Sequence, residues 1–164
     1  MDYFSHKIKD IFELSKLLEG LKAQGKKVAH CHGVFDLVHP RHIHYFKQGK
    51  DLGNLLVVSI VPDKFANEKG PNRPFFNETE RAYWVSAIEC VDFVTINPFY
   101  YAADAIRVLK PDFYCKGEAN RKLADDPTSG VYQDKLAAFE VGAKFCFTEE
   151  LPIHSTNLFK KILR

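Results

Sequence analysis

Residues 26–42 read KKVAHCHGVFDLVHPRH. Lys26 to His32 has the apolar content and length of a short strand, and it stops at Gly33. After a turn, Arg41 to Lys50 reads as a helix closed by Gly53-Asn54. A strand, a glycine turn and a helix in close succession make the opening of a parallel β-α-β unit. The next strand supports this. Leu55 to Val61 (LLVVSIV) is a continuous apolar run, the pattern of a strand buried on both faces.

The same alternation extends outward. Upstream, Ile8, Ile11, Leu14, Leu18 and Leu21 recur at helical spacing and Gly25 is a stop. Downstream, Pro62 to Asn77 is a long polar loop. Thr79 to Glu89 is a helix with Ala82, Val85 and Ile88 inward, and Val91 to Ile96 is a strand. Ala102, Ala105, Ile106 and Leu109 form a helical stripe ended by Pro111. Asp112 to Cys115 is a fourth strand, 117–130 a loop, Val131 to Val141 a helix and Lys144 to Phe147 a fifth strand. Asn157 to Leu163 is a terminal helix. The expectation is an α/β fold: a Rossmann-like, doubly wound, five-stranded parallel sheet in an α/β/α sandwich. One domain is expected over 1–164, with 1–25 an N-terminal helix and 26–164 the core.

Composition narrows the classes. The chain has 164 residues, 46% hydrophobic and 27% charged, enough for a core without staples. Lysine and arginine number 23 against 21 acidic residues, and no run of like charges marks a nucleic-acid surface. No apolar run has the length of a membrane span. Met1 to Lys9 carries no apolar h-region of a secretory signal. Cys31, Cys90, Cys115 and Cys146 form no CxxC pair and read as reduced thiols of a cytoplasmic protein. The expected partners are therefore neither nucleic acid nor membrane.

In such sheets ligands bind beyond the carboxyl ends of the strands. The segments to inspect are 32–42, 62–74, 97–101, 116–130 and 148–156. His39 and His42 sit where a helix starts, and a helix N-terminus offers free N–H groups to phosphate. Histidines there donate to phosphate oxygens and steady charge developing on phosphorus. Gly33 leaves room for a ligand against the backbone. The bland alternatives are a histidine-rich turn, since His30, His32 and His44 lie nearby, and a metal site, for which no carboxylate or cysteine completes a ligand set.

The stretch GVFDLVHPRH resembles the GxFDxxHxGH signature of the cytidylyltransferase-like nucleotidyltransferases. The likeness is greatest to the nucleotidyl domain of ADP-heptose synthase, and glycerol-3-phosphate cytidylyltransferase is also similar. It runs over about residues 26–163. It takes in Lys69-Gly70 with Arg73-Pro74, Glu80-Arg81, Ala87 to Asp92, Leu109 to Asp112 with Lys116-Gly117, and His154 to Asn157 with Lys160-Lys161-Ile162.

The resemblance implies a nucleotidyltransferase that moves AMP or CMP from a nucleoside triphosphate to a phosphorylated sugar, polyol or small alcohol. Pyrophosphate would leave, and the product would feed surface polysaccharide or lipopolysaccharide. It implies catalytic roles for His39, His42 and Lys69. It implies nucleotide contacts at Gly33, Val34, Phe35, Arg41, Arg81, Ser155 and Thr156, and substrate contacts at Arg73, Lys116 and Gly117. Magnesium would arrive with the triphosphate, held by phosphate oxygens and water rather than protein ligands. A homodimer is a family tendency. ATP with a sugar 1-phosphate is favoured by the likeness, with CTP and a phosphorylated polyol as the rival.

The sequence departs from the pattern at defined places. Arg41 stands where the family has its second glycine, and the bulk beside the nucleotide raises the alternative of a catalytically impaired nucleotide-binding relative. His154 and Ser155 replace a serine and a threonine. Glu118 and Ala119 replace an Asp-Tyr-like pair facing the acceptor, so the acceptor need not be a heptose phosphate. The kinase domain found beside some family members is not in this chain.

Overall fold

A computed structural model describes residues 5–67 and 73–151. After a 3-10 turn at Ser5–Lys7, helix α1 (Ile11–Ala23) starts where the Asp10 carboxylate accepts the N–H groups of Phe12 and Glu13. Strand β1 (Val28–Gly33) leads into α2 (Pro40–Leu52), with proline at the first turn, where its missing N–H costs nothing. Then follow β2 (Leu55–Ile60), a single turn α3 (Asp63–Ala66) and α4 (Glu78–Ser86). Helix α4 begins in a reciprocal capping box between Asn77 and Glu80. The remainder is β3 (Phe93–Ile96), α5 (Ala102–Leu109), β4 (Phe113–Gly117), α6 (Gly130–Glu140) and β5 (Lys144–Thr148).

The five strands are parallel, in the order β3-β2-β1-β4-β5. The order reverses at β1, whose neighbours are β2 on one side and β4 on the other. A crevice opens at that switch point, beyond the carboxyl ends of β1 and β4. On one face Phe46 of α2 and Ala82 and Val85 of α4 pack on Leu56, Val58 and Ile60. On the other, Leu14 and Leu18 of α1 and Leu109 of α5 cover Val28 and Val57, while α5 and α6 cover Tyr114. Each such side chain contributes about 1.5–3 kcal/mol of burial. The expected sandwich of helices on both faces of a parallel sheet is what forms.

Details differ from the sequence reading. Ile8 is not on α1 but makes a lone parallel bridge to Val94, extending the sheet edge. Helix α4 stops at Ser86 and strand β3 starts at Phe93, so Val91 is buried in the turn between them. The polar loop after β2 contains α3, and the segment after β4 contains 3-10 turns at Glu118–Asn120 and Lys122–Asp125. Strand β4 runs on through Lys116 and Gly117, which places both at the sheet edge of the crevice. The expected helix at 157–163 lies outside the described residues. Gly53 is required by space: a Cβ there would sit 2.9 Å from the Lys27 carbonyl oxygen. The four cysteines are unpaired, with Cys31 and Cys115 buried side by side on β1 and β4. Among the described residues no helix is long and apolar enough to cross a membrane.

Candidate active site

A cleft of about 640 Å³ lies at the switch point. It is lined by the β1–α2 turn, the first turn of α2, the end of β4 and the exit of β5. His32, Gly33, Val34, Phe35, His39, Arg41, His42, Arg73, Lys116 and Gly117 all border it. Sequence segments far apart in the chain are thus brought to one place.

The β1–α2 turn has an unusual backbone. Phe35 adopts a left-handed conformation, φ +51°. That turn folds its ring back over Gly33, where a Cβ would lie 2.8 Å from the ring edge. Gly33 thus makes room for the Phe35 ring, and it also borders the cleft. The Phe35 ring also meets the ring of His42 edge-on at 5.3 Å and that of Phe46 at 4.9 Å, which anchors the turn to α2.

His39 is the N-cap residue of α2, and its carbonyl accepts the His42 N–H at 2.8 Å. The two imidazoles stack, with centroids 3.9 Å apart. Burial, with the neighbouring His39 and Arg41 and against an opposing backbone hydrogen bond at Leu37, lowers the His42 pKa to about 4. Burial and Arg41 also lower that of His39. Both lowered values favour neutral rings at pH 7. An anion placed between them and the α2 N-terminus would reverse that shift.

Arg41 does not fill the cleft. Its guanidinium reaches across the mouth to Glu150 at 3.0 Å, on the β5 exit. The same exit is tied to α2 by a reciprocal pair: Gln48 donates to the Glu149 carbonyl at 3.0 Å and accepts the Glu149 N–H at 2.8 Å. Arg41 and Glu150 both border the cleft, so the side chain is held at its mouth by an ion pair.

Arg81 differs more sharply from expectation. Instead of reaching a ligand, it is 0% exposed. Its guanidinium donates to the carbonyls of Phe76 (3.0 Å), Val34 (2.5 Å) and Val61 (2.8 Å), and to the Asp63 carboxylate (2.7 Å). It braces the exits of β1 and β2, and so fixes the cleft-lining backbone at Val34 from behind. Asp36 does similar work, its Oδ1 accepting the N–H groups of Phe75 and Phe76.

Lys116 borders the cleft with its ammonium 2.9 Å from the buried carboxylate of Asp134 on α6. Tyr114 donates to the same carboxylate oxygen at 2.9 Å. Asp134, Tyr45 (whose hydroxyl donates to the Cys115 carbonyl at 2.6 Å) and Glu150 are site residues that sequence reasoning did not single out. Lys69, Ser155 and Thr156 lie outside the described residues. Among the described residues no group of three or more histidine, cysteine, aspartate or glutamate side chains could hold a metal ion.

This geometry has known counterparts. A family model described as cytidylyltransferase-like matches residues 30–158, from β1 through the β5 exit. The chain belongs to that family. Among curated relatives it is 40% identical over 115 residues to the bifunctional protein HldE of Desulfatibacillum aliphaticivorans, covering 70% of this chain and 24% of that one. It is 33% identical over 159 residues to HldE of Geobacter metallireducens, covering 96% of this chain and 31% of the relative. The chain thus spans a quarter to a third of the length of these relatives. In fold, it resembles the lipopolysaccharide core biosynthesis protein from Thermoplasma volcanium GSS1. That similarity has a TM-score of 0.63 and 27% identity, and covers 77% of this chain and 99% of that one.

Proposed function

We propose that this cytidylyltransferase-like chain transfers a nucleotidyl group from a nucleoside triphosphate to a phosphorylated sugar, releasing pyrophosphate. The observation that carries the reading is the stacked His39–His42 pair at the N-terminus of α2, inside the switch-point cleft. The positive end of the α2 dipole and two imidazoles converge there on the cleft, a place that favours phosphate. ATP and a sugar 1-phosphate are the preferred pair. Their support is the likeness to HldE along most of the chain. A product destined for surface polysaccharide accords with the fold likeness to a lipopolysaccharide core biosynthesis protein.

In this reading an oxygen of the acceptor phosphate attacks the α-phosphorus in line. The new P–O bond forms as the α–β bridging P–O bond breaks, and the electron pair leaves on pyrophosphate. The attacking phosphate is already an anion, so no base is required. Catalysis is positioning and charge stabilisation. His39 and His42 hydrogen-bond the phosphates and gain proton affinity as negative charge arrives. Val34 and Phe35 line the nucleotide through backbone that Arg81 holds in place. By the family resemblance, Lys69, Ser155 and Thr156 would contact the phosphates. Arg73, Lys116 and Gly117 face the acceptor. Magnesium, when carried in by the triphosphate, would be held by phosphate oxygens and water and would supply neutralisation of the pyrophosphate charge.

The alternative of an impaired nucleotide-binding relative rests on Arg41, which borders the cleft and pairs with Glu150 at its mouth. The two readings separate in one experiment. Melting with each magnesium triphosphate reads binding, by mass action. Pyrophosphate release against a panel of sugar and polyol phosphates reads transfer. Release that requires one triphosphate and one acceptor supports the enzyme. A shift in melting without release from any pair supports the impaired relative.

A further inference from the structure

Beneath the cleft lies a hydrogen-bonded chain that the proposed chemistry does not use. His30 on β1 is fully buried, with Nε2 2.7 Å from the Ser59 Oγ of β2. The same Oγ lies 2.7 Å from Nδ1 of His32, which borders the cleft. The Nδ1 of His30 is buried and has no hydrogen-bond partner. Its ring instead meets Tyr114 edge-on at 5.1 Å.

One serine hydroxyl shared between two imidazoles has one proton, so the chain has a direction. Were the proton of neutral His30 on Nδ1, a buried N–H would be left unsatisfied, the rarer and costlier orphan. With the proton on Nε2, His30 donates to Ser59, Ser59 donates to Nδ1 of His32, and only a bare ring lone pair is stranded. His32 then carries its own proton on Nε2. Burial agrees with a neutral His30, whose pKa falls to about 3.

The face of the sheet says which ligand this concerns. Cys31 points at Gly49 of α2, where a Cβ would be 3.0 Å from its Sγ. Alternation turns His30 and His32 to the opposite face. Tyr114, in register with His30, packs with α5 and α6 on that face, and Lys116 lies two residues further along β4. The stacked pair at α2 and the His32–Lys116 side thus flank the cleft from opposite faces.

We propose that His30 and Ser59 are positioning residues that fix His32 as the Nε2–H tautomer. His32 thereby presents an N–H donor, beside Lys116, to a phosphate oxygen of the acceptor. This rests on the nucleotidyltransferase reading for the identity of the ligand, but not for the tautomer.

The test is long-range proton–nitrogen NMR of the histidine rings in the full chain, with inorganic phosphate and magnesium-ATP as separate probes. The expected result without ligand is a pyridine-type Nδ1 and a pyrrole-type Nε2 for His32, in the wild type and in Ser59→Thr. Ser59→Ala should give averaged tautomers. Inorganic phosphate should move the His32 Nε2 resonance, with affinity about tenfold weaker in Ser59→Ala and restored in Ser59→Thr. A proton found on Nδ1 of His32 in the wild type overturns the proposal, as does a His32 resonance indifferent to phosphate. Magnesium-ATP that fails to move His39 and His42 counts instead against the triphosphate site, and leaves the tautomer result standing.

Discussion

Replacing His30 by leucine should make stability less sensitive to acid, to the point that two denaturation curves exchange order. His30 titrates at about 3 when folded, against an ordinary 6.5. A depressed histidine pKa means the unfolded chain takes up the proton first. The stability tied to neutral His30 is complete above pH 6.5 and is lost as pH falls towards 3. The loss is about 1.4 kcal/mol per pH unit below 6.5. At pH 5 that is 1.5 units, or about 2 kcal/mol. At pH 7.5 the variant lacks the 2.7 Å bond to Ser59, a cost of about 1 kcal/mol. Leucine is apolar and of comparable size, so the packing change is small. Wild type should therefore be more stable by about 1 kcal/mol at pH 7.5, and the variant by about 1 kcal/mol at pH 5. The histidines other than His32, which shares Ser59 with His30, are unaltered in both proteins and cancel in the difference. Urea unfolding at the two pH values reads it directly. A stability difference that stays constant between pH 7.5 and 5 would refute the reasoning, because it would mean His30 titrates alike folded and unfolded.

Other outcomes follow from the same geometry. Arg81→Met should destabilise by about 3–5 kcal/mol in urea, since it leaves the Asp63 carboxylate and the Val34 and Val61 carbonyls without their donor; a loss under 1 kcal/mol would mean that brace is dispensable. Gly33→Ala should cost about 1–3 kcal/mol by pushing the Phe35 ring off the turn, and a wild-type melting temperature would contradict it. Magnesium-ATP binding should take up protons as His39 and His42 recover from their lowered pKa values, so affinity rises from pH 7.5 to 6. Calorimetry in buffers of different ionisation enthalpy measures that uptake, and zero uptake would count against it. Glu150→Gln should strengthen triphosphate binding several-fold at low salt, by releasing Arg41 and removing a negative charge at the cleft mouth; weaker binding would mean the ion pair is part of the site.

What was legible in the sequence depends on how local its cause is. The strands showed as apolar runs, and the start of α2 at His39–Pro40 showed as a motif, because both depend on neighbours in the chain. Arg81 was not legible. An arginine in the first turn of a helix looks the same whether it faces water or three carbonyls, and two of the three come from the β1 and β2 exits. Lys116 could be placed at a strand end, but its partner Asp134 lies on the next helix, in a segment that reads only as amphipathic. Ile8 kept helical spacing by coincidence and joins the sheet because Val94 has a free edge. The packing of Gly33 under the Phe35 ring was not legible, since nothing in the sequence announces the left-handed turn at Phe35. His30, Ser59 and His32 align only once β1 and β2 are in register, with His32 opposite Ser59.

The most direct test of the central claim is phosphorus NMR of a reaction of the protein with magnesium-ATP and the sugar phosphate panel, run beside His42→Asn. The account predicts pyrophosphate together with a new diphosphate-bridged product in equal amounts. It predicts that His42→Asn slows both by about 10²-fold or more while a triphosphate still raises the melting temperature. Orthophosphate appearing in place of pyrophosphate, or a His42→Asn rate equal to wild type, would contradict it.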